Sequence, residues 1–168
     1  MRVSVGNIIE KVTNGVIIQQ VNAQGVMGSG IAKAIRDKWP VVWDHYTLFA
    51  GPPYTQPETG KQFLGHVLLS EVTPDLIVAN VFGQQFFRRQ GDTGAQRYTS
   101  YDALDRAFTE LGRLLQGLPA QLHFPLIGSD RGGGHWPIVR EIMEYRLCAF
   151  DLNLWLLPGV TEPATICK

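Results

Sequence analysis

The chain has 168 residues, 45% of them hydrophobic and 18% charged, a length and balance that fit one globular domain, 1–168, with its own core and need no second. Fifteen basic residues offset fifteen acidic ones, so nucleic acid is a partner that net charge does not indicate, and a compact ligand is favoured. Cys148 and Cys167 form neither a CxxC pair nor a Cys/His cluster, which argues against a zinc site and a disulfide framework and for a reduced, cytoplasmic compartment.

In chain order, short apolar runs rich in β-branched residues predict strands near 2–5, 16–22, 63–70, 75–82, 121–127 and 151–157. Stretches of helical period fall between them, at about 30–38, 101–115 and 137–148. Tyr101, Leu104, Phe108, Leu111 and Leu115 recur at spacings of three and four, the stripe of one buried helix face. Pro137 suits the first turn of the last helix. Alternation of strand and helix predicts an α/β sandwich, and no basic segment followed by a long apolar run opens the chain. No apolar run approaches the roughly 18 residues of a membrane span, so a soluble protein with no membrane contact is expected. Two connections, Ala50 to Lys61 and Arg88 to Ser100, are rich in Gly, Pro and polar residues and read as surface loops.

Two glycine-rich segments follow strands and precede helices. The first, "VNAQGVMGSGIAKAIRDKWP", places Gly25, Gly28 and Gly30 between Val21-Asn22 and a helical stretch. The second, "LHFPLIGSDRGGGHWPIVREIM", places Gly128, Gly132, Gly133 and Gly134 in the same relation to its helix. Free backbone N–H groups and a helix N-terminus at the carboxyl edge of a sheet hold anions, and two such loops facing each other suit a diphosphate. Each loop taken alone is equally a tight turn.

These segments resemble the macrodomains. Asn22, Gly25, Met27, Gly28, Gly30, Ile31 and Ala32 match an N-x-x-G-x-M-G-x-G-I-A pattern, and "FPLIGSDRGGGHW" is similar to the second loop. Similarity extends from "VGNII" to "LNLWLLP" and is nearest to the branch of ADP-ribose 1″-phosphate phosphatases, ADP-ribosylglutamate hydrolases and DNA ADP-ribosylation antitoxins of bacteria and their viruses. The resemblance implies a three-layer α/β/α sandwich around a central mixed six-stranded sheet, with ADP-ribose or a 1″-substituted derivative lying over the strand ends. By position, Asn7 and Ile8 would meet the adenine, with Leu156 and Leu157 either as its wall or as core residues. Asn22 would reach the distal ribose, and Gly25, Met27, Gly28, Ser29, Gly30 and Ile31 would wrap the ribose and diphosphate. Gly128, Ser129, Asp130, Arg131, Gly132, Gly133 and Gly134 would close from the other side. Many relatives carry an aspartate where this chain has Asn7; the uncharged amide still accepts a hydrogen bond but binds the adenine amine more weakly. Asn7 reads equally as a cap or turn residue.

The glutamate-ester hydrolases of that branch use a lysine beyond the fourth strand and an aspartate in the second loop. Here "NVFGQQFF" has no lysine and Gly132 stands at the aspartate position, so a covalent lysine route is not expected. Asp130 is the candidate base that orients water, or a turn aspartate; Asn22 would position the ribose, and His135 is a candidate proton donor or the exposed first-turn residue of its helix. Arg88, Arg89, Arg97 and Arg131 are candidates to grip a terminal phosphate bidentately, or are solvated loop arginines; Phe86, Phe87 and Tyr98, interleaved with them, allow base stacking. His123, set between Leu122 and Phe124, reads as a core residue. The functions in play are hydrolysis of a 1″ substituent, phosphate first; hydrolysis of ADP-ribosylated protein or DNA; and plain binding of ADP-ribose. No cofactor or metal is expected, and a monomer is. The segment from Arg88 to Ser100 is long enough for a lid.

Overall fold

Six apolar runs become the six strands of one mixed sheet; the computed structural model describes residues 1–52, 59–89, 91–92, 96–118 and 120–164. β1 (Arg2–Val5), β2 (Gly15–Asn22), β3 (Val67–Thr73), β4 (Leu76–Gln84), β5 (Gln121–Phe124) and β6 (Asp151–Leu156) lie in the order β1-β6-β5-β2-β4-β3. Neighbours are parallel except β3 and β4, which pair antiparallel. The register sets Ile17 of β2 beside Val78 of β4 and His123 of β5. Strands buried on both faces show little alternation, which is why β2 and β4 read as nearly continuous apolar runs.

Helices α1 (Ile8–Lys11), α2 (Gly30–Lys38) and α3 (Pro40–Ala50) pack on one face, α4 (Tyr101–Leu114) and α5 (Trp136–Arg146) on the other, giving the predicted three layers. The α4 stripe is buried as its spacing requires: Leu104, Phe108 and Leu111 are fully enclosed against Ile18, Val81 and Phe124. Each such side chain stabilises the fold by about 1.5–3 kcal/mol through burial. Ser100 starts this helix by accepting from Ala103 N.

Several boundaries differ from the sequence reading. The strand expected at 63–70 begins at Val67, because Phe63 closes a 3-10 turn (Thr59–Phe63) and packs its ring on Phe49 and Phe82 at 5.3 and 6.0 Å. The strand expected at 121–127 ends at Phe124, since Pro125 has no N–H for a ladder. Helices α1 and α3 have no counterpart in that reading. Among the described residues no helix is long and apolar enough to cross a membrane, and no three His, Cys, Asp or Glu side chains gather to hold a metal. Cys167 and parts of both expected surface loops, 53–58, 90 and 93–95, lie outside the described residues.

Candidate functional site

β2 and β5 are parallel neighbours, so the glycine loops that follow them leave the same edge of the sheet although about a hundred residues separate them in the chain. Between the loops lies a cavity of about 620 Å³. Asn22, Gly28, Ser29, Gly30 and Ile31 line it from the first loop, and Gly128, Ser129, Asp130, Arg131 and Gly132 from the second. Gln20 and Gln84 form part of its floor, and Phe87, Arg88 and Arg89 approach from the end of β4.

The first loop is shaped by Asn22 and Tyr46. Asn22 Oδ1 accepts from Gln24 N at 2.9 Å and Val26 N at 3.3 Å, while Nδ2 donates to Val26 O at 2.6 Å. Tyr46, fully buried on α3, donates its hydroxyl to Asn22 O at 2.6 Å and accepts from Val26 N at 3.1 Å. Burial pushes its phenol far above the ordinary range, so it stays protonated and keeps that donor. The Asn22 amide, read from sequence as a ribose contact, is chiefly the clasp of its own loop. Met27 is wholly buried in the core under α2 and α3, and neither it nor Gly25 lines the cavity, whereas Asn22 does.

Beyond the clasp the backbone is bare. Ser29 precedes α2 in extended conformation but makes no side-chain cap, so the first-turn N–H groups lack that partner beside the cavity that Ser29, Gly30, Ile31 and Ala32 line. Gly28 has ordinary φ, and a Cβ there would touch nothing nearer than Val26 Cγ1 at 3.6 Å. Gly30 does need a glycine, at φ +56°, but the space around it is open.

The second loop is held by Thr99. Its Oγ1 accepts from Gln20 Nε2 at 3.0 Å and donates to Gly128 O at 2.9 Å, while the N–H groups of Tyr98 and Thr99 donate to Gly132 O at 2.8 and 3.0 Å. Gln20 Nε2 also donates to Gln84 Oε1, whose amide donates to Phe86 O at 2.8 Å. Gly134 N closes the turn on Gly128 O at 2.8 Å. Gly133 and Gly134 therefore serve the loop itself and do not line the cavity. Asp130 is exposed at the rim; its carbonyl accepts from Gly133 N at 3.2 Å, and its carboxylate has no hydrogen-bond partner among the described residues.

Other sequence candidates fall elsewhere. Asn7 is the cap of α1: Oδ1 accepts from Ile9 N at 3.1 Å and Nδ2 donates to Glu10 at 3.0 Å, while Ile8 is buried in the core. Neither lines the cavity, nor do Leu156 and Leu157. His135 is exposed ahead of α5 with its N–H on Tyr101 Oη at 2.9 Å, away from the cavity lining. Arg97 stacks on the Tyr101 ring at 4.3 Å instead of entering the cavity. His123 accepts from Trp155 Nε1 at 3.1 Å, and burial lowers its pKa, as suits a neutral core histidine. Gln20, Gln84, Thr99 and Tyr46 are the residues that sequence reasoning missed. The one available signal was the Gln19-Gln20 pair inside an otherwise apolar strand.

No protein-family model matches the chain, and no curated protein matches its sequence. Solved structures do. A Bacteroides thetaiotaomicron protein of unknown function is 25% identical with a TM-score of 0.76, over 92% of this chain and 96% of that one. The macrodomain of Mycobacterium tuberculosis DarG is 17% identical with a TM-score of 0.73, over 92% and 95%. Thermosipho africanus DarTG, solved in complex with ADP-ribose, is 16% identical with a TM-score of 0.69, over 97% of this chain and 43% of that one. The chain therefore has the macrodomain fold, six-stranded mixed sheet and flanking helices included.

Proposed function

We propose that this chain belongs to the macrodomains, binds ADP-ribose in the cavity between its two glycine loops, and hydrolyses a substituent on the 1″ carbon, phosphate in the first place. The observation that carries the reading is the convergence of both loops on one cavity of about 620 Å³, with uncapped N–H groups on one side and arginines on the other. The ADP-ribose complex of a protein with the same fold supports the choice of nucleotide.

In this reading the backbone N–H groups of Gly28, Ser29 and Gly30 hold the diphosphate from one side, and those of the second loop hold it from the other. Arg131 adds charge. Asp130 takes a proton from a water that attacks phosphorus; the bond from phosphorus to O1″ breaks, the electron pair stays on the sugar oxygen, and solvent protonates it. With no lysine beyond β4, no covalent sugar intermediate is invoked. A second reading, plain binding without turnover, is favoured by the Asp130 carboxylate, which no neighbour among the described residues orients.

Titration calorimetry with ADP-ribose, together with phosphate release from ADP-ribose 1″-phosphate, tests the proposal. Binding with turnover is expected, and Asp130→Ala should lower turnover at least tenfold while affinity changes little. Binding without turnover leaves the second reading standing; a folded chain that fails to bind millimolar ADP-ribose overturns both.

A further inference from the structure

The end of β4 delivers Phe87, Arg88 and Arg89 to the cavity from a segment apart from both glycine loops. Arg88 is half-buried, and its Nε is wholly shielded from solvent with no hydrogen-bond partner among the described residues. A buried N–H without an acceptor carries a desolvation penalty, which a ligand oxygen relieves once the guanidinium turns toward the cavity that Arg88 lines. Since a guanidinium does not lose its proton, that atom must be an acceptor, and an anion is preferred.

Charge pairing elsewhere sharpens the point. Arg36, Arg106, Arg140 and Arg146 each meet a carboxylate within 2.8–3.2 Å. Among the described residues, Arg88, Arg89 and Arg131 of the cavity have no ion-pair partner, and Asp130 is the single carboxylate lining it. Asp92 is the nearby counter-charge: it is attracted by the Arg89 and Arg88 charges, but its carboxylate accepts from the Tyr98 hydroxyl at 2.6 Å and Arg89 N at 2.7 Å and, among the described residues, forms no ion pair with either guanidinium. Three cations without an ion pair among the described residues thus line one concavity, and two of the three stand off the glycine loops that would hold a diphosphate.

We infer that Arg88, with Arg89 beside it, forms a separate phosphoryl subsite that makes this cavity prefer a phosphorylated ADP-ribose over the unsubstituted nucleotide. This rests on the ADP-ribose reading above and adds a specificity-determining residue to it. The fork of Arg88 matches two oxygens of a phosphoryl group, which a point charge cannot do equally well.

Calorimetric titrations of the full chain with ADP-ribose and with ADP-ribose 1″-phosphate, in the cold and with recovered nucleotide analysed so that hydrolysed ligand is counted, test the subsite. The wild type should bind the phosphorylated ligand about 10–100-fold more tightly, the range for a charge-assisted hydrogen-bond pair. Arg88→Gln should erase most of that ratio, and Arg88→Lys should restore only part of it. Arg131→Gln, which removes a cation from the second glycine loop, should weaken both ligands by similar factors and keep the ratio. Equal affinities in the wild type, or a ratio that Arg131→Gln lowers as far as Arg88→Gln, would overturn the subsite while leaving ADP-ribose binding intact. Failure of the wild type to bind either nucleotide would overturn the ADP-ribose reading and the subsite with it. Matched thermal melts of the variants establish that each is folded.

Discussion

The two glycine loops look alike in sequence and are opposites in construction. In the first, Gly28 and Gly30 face open space, and the clasp that shapes the loop is made by other residues, Asn22 and Tyr46. In the second, the glycines are occupied by the protein itself: a Cβ at Gly132 would lie 2.5 Å from Gly128 O and closer still to Thr99 Oγ1, and one at Gly134 would lie 2.8 Å from Gly128 O. Glycine content alone therefore does not report a ligand. What reports one is a cavity-lining glycine whose missing side chain leaves room that no protein atom uses.

The contrast is open to direct attack. Gly28→Glu should have the largest effect and a selective one: the new side chain enters the cavity with a charge that opposes a diphosphate, so ADP-ribose affinity should drop by more than about 100-fold, or ~2.7 kcal/mol. Stability should hardly move, because no protein atom crowds that Cβ. Calorimetry paired with a thermal melt checks both halves, and a large loss of Tm would make Gly28 a packing glycine after all.

Gly132→Ala should behave in the opposite way. Overpacking against Thr99 and Gly128 is expected to cost about 2 kcal/mol, a drop of ~4–8 °C in Tm for a domain of this size. An unchanged melt would show that the second loop yields easily and would weaken the comparison.

Tyr46→Phe removes the one hydroxyl that joins Asn22 O to Val26 N, taking a donor from the buried Asn22 carbonyl and leaving Val26 N with only its 3.3 Å contact to Asn22 Oδ1. A stability loss of about 1–2 kcal/mol is expected, with a several-fold weakening of ADP-ribose as the first loop loosens. Denaturant melts and calorimetry on the same variant test whether the clasp serves the ligand or only the fold.

The smallest effect concerns the strand beneath the second loop. His123 of β5 has its pKa lowered by burial, so the folded chain resists protonation while the unfolded chain takes up a proton as pH falls through about 6.5. The sign is that stability is full above that value and declines below it, down to the lowered folded pKa. The urea midpoint should therefore fall between pH 7.5 and 5.5, and His123→Gln should flatten that part of the profile. A profile that Gln leaves as steep would assign the loss to other groups.

Where the periodicity is clean, sequence and structure agree: the Leu104, Phe108, Leu111 stripe is the buried face of α4, and Ser100 is its cap. Helix α3 shows why legibility fails elsewhere. Val41, Val42, Trp43, Leu48 and Phe49 spread large apolar residues, most of them β-branched or aromatic, around the helix, so no clean polar face marks the period, and Leu48 stays 86% exposed. Only docking against α2 and β3 makes helix the better solution, burying Val42, Tyr46 and Ala50 four residues apart.

The site divides along the same line. By itself, the sequence determined that two glycine loops follow two strands and open two helices, because turn chemistry and hydrophobic period act over a few neighbouring residues. The tertiary structure decided which of those glycines face a cavity, that Asn22 is a clasp, that Arg88 enters while Arg97 stacks aside, and that Thr99 ties Gln20 to Gly128. Those assignments depend on contacts such as the 3.0 Å bond from Gln20 to Thr99, 79 residues apart. A pairing over that distance carries no local signature, and it exists only once the sheet has set the strand ends side by side.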